Sequence, residues 1–313
     1  MNRRTFLQQS VATAAGVAVT GHPSVASLAT RIVDTHTHFY DPTRPGGVPW
    51  PPQGSPLFRT VLPDDWAKLA LPHGVTHTVV VEASDRVEDN QWLLDLAATD
   101  NRIVGIAGNL DPLSPDFAVN LKRFAQQALF RGIRNRRPNA ELANLVDKPE
   151  FRASMKLLAE AGLELDVNDS GGRNLLAVAK LARELPSLRI VLDHVGGAGD
   201  PRELGEQWKN GMKLAGAQEN VFCKVSALVE QAKADYGKAP SDTAYYLPIL
   251  DHVWECFGEN RVIFGSNWPV SDKGAPYEVV FRIMQEYFAA KGQEASEKYF
   301  WRNSLAAYRW IER

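Results

Sequence analysis

Thr76-His77-Thr78-Val79-Val80-Val81-Glu82 is a β-branched run that closes on an acid, and with the helix and strand next to it, it decides the fold. Residues 89–98 place Trp92, Leu93, Leu96 and Ala97 on one helical face, and 103–107 is again a β-prone apolar run. Strand, helix and strand in such a short span is the signature of a parallel crossover. Outward from this unit the alternation continues. Ser114 is an expected N-cap with Pro115 at the first helical position, and Phe117, Leu121, Phe124 and Ala125 come after it at helical spacing. Strands are expected at 128–134, 163–167, 188–192, 221–225 and 262–264. Between them run helices at 149–161, 174–185, around Trp208, Met212 and Ala215, and at 245–257, with closing helices from Tyr277 and from Ser296. Gly162, Pro186 and Gly258 punctuate three of these helices. Upstream, Ile32-Val33 supplies a first strand.

Eight strands alternating with helices predict an α/β protein with a parallel sheet. Eight units in about 280 residues fit a closed (β/α)8 TIM barrel. An open doubly wound sheet is the alternative. It lacks support because the first strand runs into His36 and His38, where that fold needs a glycine-rich phosphate turn. No second domain or internal repeat is visible. Two units are expected: an export signal over 1–29 and a single barrel domain over 30–313.

The chain has 313 residues, 44% hydrophobic and 23% charged, with a formal net charge of -2. That balance argues against nucleic acid, which requires a concentrated basic face. The one basic cluster, Arg131, Arg134, Arg136 and Arg137, suits a carboxylate-bearing ligand or a solvated loop. Asn2-Arg3-Arg4-Thr5-Phe6-Leu7 resembles a twin-arginine export motif, and an uncharged Ala/Val-rich run comes after it. The run is short for a membrane span. An exported, periplasmic protein is therefore expected. Cys223 and Cys256 lack metal-knot spacing and read as small buried hydrophobes, with a disulfide left open. The segment 40–63 carries seven prolines and reads as a wall or lid, with Trp50, Phe58 and Arg59 as candidate lining.

In a TIM barrel the chemistry sits where strands end. The expected strand ends are polar one after another: His36 and His38, Glu82, Asn109, Arg134, Asn168 and Asp169, Asp193 and His194, Lys224 and Ser226, and Asn267. His36 and His38 stand two apart and so share one side of a strand. Asp193 is expected to orient His194 or to support the barrel end.

Asp34-Thr35-His36-Thr37-His38-Phe39, Gly132-Ile133-Arg134, Leu192-Asp193-His194-Val195-Gly196, Cys223-Lys224-Val225-Ser226 and Phe264-Gly265-Ser266-Asn267-Trp268-Pro269 occur in that order. Together they resemble the amidohydrolase-related branch of the amidohydrolase superfamily, and within it the sugar-lactone and pyrone-dicarboxylate lactonases such as fuconolactonase. The resemblance implies a (β/α)8 barrel that hydrolyses a ring ester. It implies that His36, His38 and His194 face substrate or a divalent metal, that Arg134 and Lys224 hold substrate oxygens, and that Trp268 and Asn168 contact substrate. Zn2+ is the expected ion, held by His36, His38, Glu82 and His194, although a metal-free route through the histidines is the other possibility. No lysine ends the fourth strand, so no carbamylated bridge between two metals is expected.

One departure matters. The superfamily's eighth-strand aspartate falls at Asn267, and an amide cannot take a proton near neutral pH. Glu82 is then the first candidate for general base, with Asp272 behind it. The expected function is hydrolysis of a lactone or similar cyclic ester of a small carboxylate or sugar acid. Two alternatives remain: a metal-dependent decarboxylase of the same superfamily, and a catalytically impaired periplasmic binding protein.

Overall fold

The computed structural model describes residues 31–134 and 141–313. Eight strands form one sheet in sequence order, every neighbouring pair parallel: β1 (Ile32–Thr37), β2 (Val75–Val81), β3 (Ile103–Gly108), β4 (Phe130–Arg134), β5 (Glu164–Val167), β6 (Arg189–Leu192), β7 (Val221–Val225) and β8 (Val262–Phe264). The barrel closes just beyond the last strand. Asn267 N–H donates to His36 O at 2.8 Å, and His38 N–H donates to Trp268 O at 2.9 Å. The alternation of apolar runs therefore means a closed TIM barrel.

The strands are buried on both faces, which is why they read as near-continuous apolar runs. Inward-facing Val33, Val79, Val81, Val104, Val191 and Ile263 fill the barrel, and Tyr308 and Trp310 from the C-terminal segment pack onto them. Residues of opposite parity, among them Val80, Ile190 and Val262, meet the helical layer outside, as does Ile106 on β3. Helix Pro149–Glu160 begins with proline in its first turn, and its chain reverses at Gly162 with φ +71°.

Two local expectations shift. Ser114 and Pro115 form a turn, with Phe117 N–H donating to Ser114 O at 3.0 Å, and the helix begins at Phe117. The Ser114 hydroxyl does accept a backbone bond, from Asp116, but within that turn. The first strand extends to Thr37, past the Ile32-Val33 pair, so His36 lies within it. Both cysteines are free. Among the described residues no helix is long and apolar enough to cross a membrane. Residues 1–29, where an export signal is expected, lie outside the described residues.

Candidate active site

A cavity of about 640 Å3 opens at the C-terminal ends of the strands. His38, Trp50, Arg134, Asn168, His194 and Asn267 all reach its wall. Of the other residues singled out in the sequence, His36, Glu82, Lys224 and Trp268 are buried behind that wall. Side chains separated by more than 200 positions thus meet in one place because, Trp50 on the loop after β1 apart, they stand at or just past the ends of barrel strands.

A charge network underlies the wall. Lys224, fully buried on β7, contacts Asp193 Oδ1 at 2.8 Å and Asp166 Oδ2 at 3.1 Å. Burial alone would strip its proton, but the two carboxylates outweigh burial and raise its pKa. Asp193 answers in kind: burial would raise it, yet Lys224 and His36 hold it well below the usual carboxylate range. Asp166 is pushed up to about 6 by burial and by Asp193, despite Lys224 and the Tyr308 hydroxyl that donates to its Oδ1 at 2.6 Å. Glu164, two residues earlier on β5, is held well above the usual range by burial and by Asp166. Neither Asp166 nor Glu164 is among the residues singled out in the sequence, although Glu164-Leu165-Asp166-Val167 alternates charge with hydrophobe inside a predicted strand. That alternation is the available signal for a polar inner face.

Arg134, at the end of β4, donates from Nε to Glu82 Oε1 and from Nη2 to Glu82 O, both at 2.8 Å. Its Nη1 lies 3.4 Å from His36 Nε2. The other ring nitrogen of His36, Nδ1, lies 3.2 Å from Lys224 Nζ and 3.4 Å from Asp193 Oδ1, so cations flank the ring on both sides. Burial and Lys224 press His36 well below its ordinary pKa, which keeps this ring neutral. Glu82, named from the sequence as a general base, is thereby engaged by an arginine.

His38 sits edge-on to His36, with ring centroids 4.9 Å apart. Its Nδ1 lies 2.9 Å from Val81 O. A carbonyl only accepts, so the proton is on Nδ1 and Nε2 is the acceptor nitrogen. His194 Nδ1 lies 2.8 Å from the Ser226 hydroxyl, and burial pushes His194 down to about 4.

The loops carrying these groups are conformationally strained. His194, Val195, Ala227 and Asn267 adopt positive φ of 55°, 49°, 52° and 62°. For a β-branched residue such as Val195 this is a genuine departure, of the kind that clusters at functional sites. Asp34 anchors the first-strand histidines, accepting from Ser266 N at 2.8 Å and from the Trp66 indole and Tyr277 hydroxyl at 3.2 Å each.

Other expectations fall apart in space. Arg131 starts β4 at the opposite end of the barrel, donating to Arg309 O, while Arg136 and Arg137 lie outside the described residues. Of the two described members of the basic cluster, Arg134 is the one placed at the cavity. Trp50 reaches the wall, whereas Arg59 pairs with Asp272 at 3.1 Å and stacks over Trp268. Asn109 ties the end of β3 to helix Asp89–Thr99 through Asn90 and to the loop before that helix through Asp85 O. Asn267 Nδ2 donates to Glu230 Oε1 at 2.7 Å. Nothing in the sequence marks Glu230.

His36, Asp193 and His194 bring donor atoms within 4.8 Å of one another, and they are the group among the described residues able to hold a metal. Neither Asp193 oxygen receives a well-directed hydrogen bond from the described residues, so a buried carboxylate is left with electrostatic partners only. Two imidazoles and such a carboxylate fit a divalent ion of the zinc type. His38 and Glu82, expected as further ligands, lie outside this group and are bonded to Val81 and Arg134.

The amidohydrolase family profile matches residues 33–310. An L-fucono-1,5-lactonase of Burkholderia ambifaria is 32% identical over 240 residues, covering 76% of this chain and 80% of that protein. A second L-fucono-1,5-lactonase, from Burkholderia multivorans, is 27% identical over 292 residues, covering 88% and 94%. A zinc-bound amidohydrolase structure from Burkholderia multivorans superposes with a TM-score of 0.81 at 25% identity, covering 90% of this chain and 99% of that one. With the barrel, the strand-end histidines and a profile match that spans nearly every described residue, the chain belongs to the amidohydrolase family.

Proposed function

We propose that the protein is a hydrolase that opens the ring of a small lactone, a cyclic ester of a sugar acid or related carboxylate. The observation that carries this reading is the convergence of His38, Arg134, His194 and Asn267 on one cavity at the catalytic end of the barrel. The lactonase relatives support it.

Arg134 is the donor to the ring carbonyl, and its guanidinium stabilises negative charge as the tetrahedral intermediate forms. Burial works against that charge, but Glu82 and Asp193 outweigh it and keep the guanidinium ionised. His38 has its tautomer set by Val81 O, so Nε2 accepts a proton from the attacking water. The water's hydroxide adds to the acyl carbon, the ring C–O bond breaks, and His38 returns the proton to the departing ring oxygen. The product is the open hydroxy acid. Asn267 cannot take the proton, but it can hold the water. Asn168 and Trp50 complete the wall against which the ring lies.

A divalent ion, with zinc as the proposed identity, would be held by His36, Asp193 and His194, and would supply further carbonyl polarisation and a more acidic water. We also propose export by the twin-arginine-like segment, Arg3-Arg4 and the uncharged run after it, which would place the mature barrel in the periplasm.

The test is acid release from a panel of aldonolactones and pyrone carboxylates, beside CO2 release from hydroxybenzoates. Acid release from a lactone that is lost in His38→Gln supports the reading. CO2 release would move the protein to decarboxylation, and tight lactone binding without turnover would make it a binding protein. N-terminal sequencing of the periplasmic fraction checks export.

A further inference from the structure

Glu230 lies on the short helix Leu228–Gln231 after β7, and its Oε1 accepts from Asn267 Nδ2 at 2.7 Å. Its other oxygen, Oε2, is buried without a hydrogen-bond partner among the described residues. Asn267 is pinned by its backbone. Its N–H donates to His36 O at 2.8 Å, its carbonyl accepts from Ser271 N at 3.0 Å, and its φ is +62°. What remains adjustable is the direction of the side-chain amide, which has a donor end and an acceptor end.

We propose, resting on the hydrolytic reading above, that Glu230 is a positioning residue: by accepting from Nδ2 it turns Asn267 Oδ1 to the cavity, where that oxygen accepts from the attacking water. An ionised carboxylate only accepts, so it tolerates only the amide orientation with Nδ2 facing it. Once protonated, the same carboxyl can donate, and the reversed amide is equally satisfied. The amide then loses its fixed aim, and Nδ2 competes for the place where the water needs an acceptor. The cavity-lining role of Asn267 places this switch at the reacting group.

The surroundings put that switch within reach of neutral pH. Burial raises Glu230 to about 7, opposed by the Asn267 bond and by Lys273. Asp272, itself paired with Arg59, adds to the rise, and the Tyr246 phenol is the other titratable group facing the carboxyl. Asn267 and Glu230 together do what one carboxylate does elsewhere: the amide touches the water, and the acid beneath it supplies the charge.

The experiment compares the parent, Glu230→Gln and Asn267→Asp/Glu230→Gln with Asn267→Asp alone. In the parent, the rise of kcat with pH should include an ionisation of Glu230 near neutrality beside that of the His38 base. In Glu230→Gln the Glu230 step should vanish while the His38 step stays, and kcat should fall about tenfold, with KM nearly unchanged. Asn267→Asp alone sets two carboxyls 2.7 Å apart, so the pair shares a proton, and adding Glu230→Gln should raise its activity above the product of the two single effects. A second readout needs no turnover. The Asn267 side-chain amide signals in 15N NMR, identified by their loss in Asn267→Asp, should move between pH 5 and 9 in the parent and stay fixed in Glu230→Gln. A parent that opens no lactone defeats the hydrolytic reading while the amide titration still decides the role of Glu230. An unchanged pH profile in an active Glu230→Gln, or amide signals that titrate alike in both proteins, overturns the proposal.

Discussion

Replacing Lys224 with methionine keeps the volume of the side chain and removes one buried charge from between two buried acids. At an effective dielectric of ~20, the attractions at 2.8 Å and 3.1 Å amount to about 6 and about 5 kcal/mol. In the parent these gains are offset by the desolvation of three charges. In the variant the carboxylates stay desolvated with their cation gone, so the net loss is about 3–5 kcal/mol at pH 8. The loss must depend on pH. Asp166 already titrates above an ordinary aspartate, and without Lys224 its folded-state pKa rises further. A group whose folded pKa exceeds its unfolded value loses stability as pH climbs between the two, at up to ~1.4 kcal/mol per pH unit for one proton. Lys224→Met should therefore be far closer to the parent at pH 4.5 than at pH 8. Urea unfolding tracked by tryptophan fluorescence at both pH values measures this. A variant that loses under ~1 kcal/mol, equally at both, would show that the barrel interior is wet enough to screen the network, and would refute the reasoning.

Arg134→Gln removes the cation aimed at the carbonyl while leaving an amide in its place, and kcat should fall about 10²–10³-fold with folding retained, as steady-state kinetics and circular dichroism would show. Gly132→Ala should destabilise the protein by about 1–3 kcal/mol, because a Cβ there would lie 1.8 Å from Glu164 Oε1. In a Glu164→Ala background the same change should cost little, which thermal melts of the four proteins would test. Dialysis against a strong chelator should remove one ion per chain and lower kcat, with recovery on adding zinc. Full activity in metal-free protein, checked by elemental analysis, would show that the reaction needs no ion at His36, Asp193 and His194, and a protein purified with no bound ion even after zinc is added would discard them as a metal site.

Much of the architecture was legible because barrel strands are buried on both faces. Their apolar runs stand out from the amphipathic helices between them, as Val79-Val80-Val81 does from the helix carrying Trp92 and Leu96. The candidate site was legible in part. His38, Arg134, His194 and Asn267 were marked by being polar where an apolar run stops, and all four reach the cavity. The same mark also picked out Asn109, which ties the end of β3 to a helix, and Glu82, which is held by Arg134. A polar residue at a strand end is a statement about position, and position does not name a partner. Glu164 and Asp166 carry no such mark, because inside a strand they read as interruptions, although their parity turns them toward the barrel interior, where Asp166 meets Lys224.

By itself, then, the order of apolar and polar residues determined that eight parallel strands would form and that their polar ends would share one rim, because periodicity and burial are local and cumulative. Which groups meet was decided only by closing the barrel. Asn267 comes to lie on Glu230, and Lys224 on Asp166, through contacts spanning 37 and 58 positions. Hydrogen bonds and ion pairs act over a few ångströms, and at such separations in sequence the geometry that brings two side chains within that range belongs to the fold as a whole.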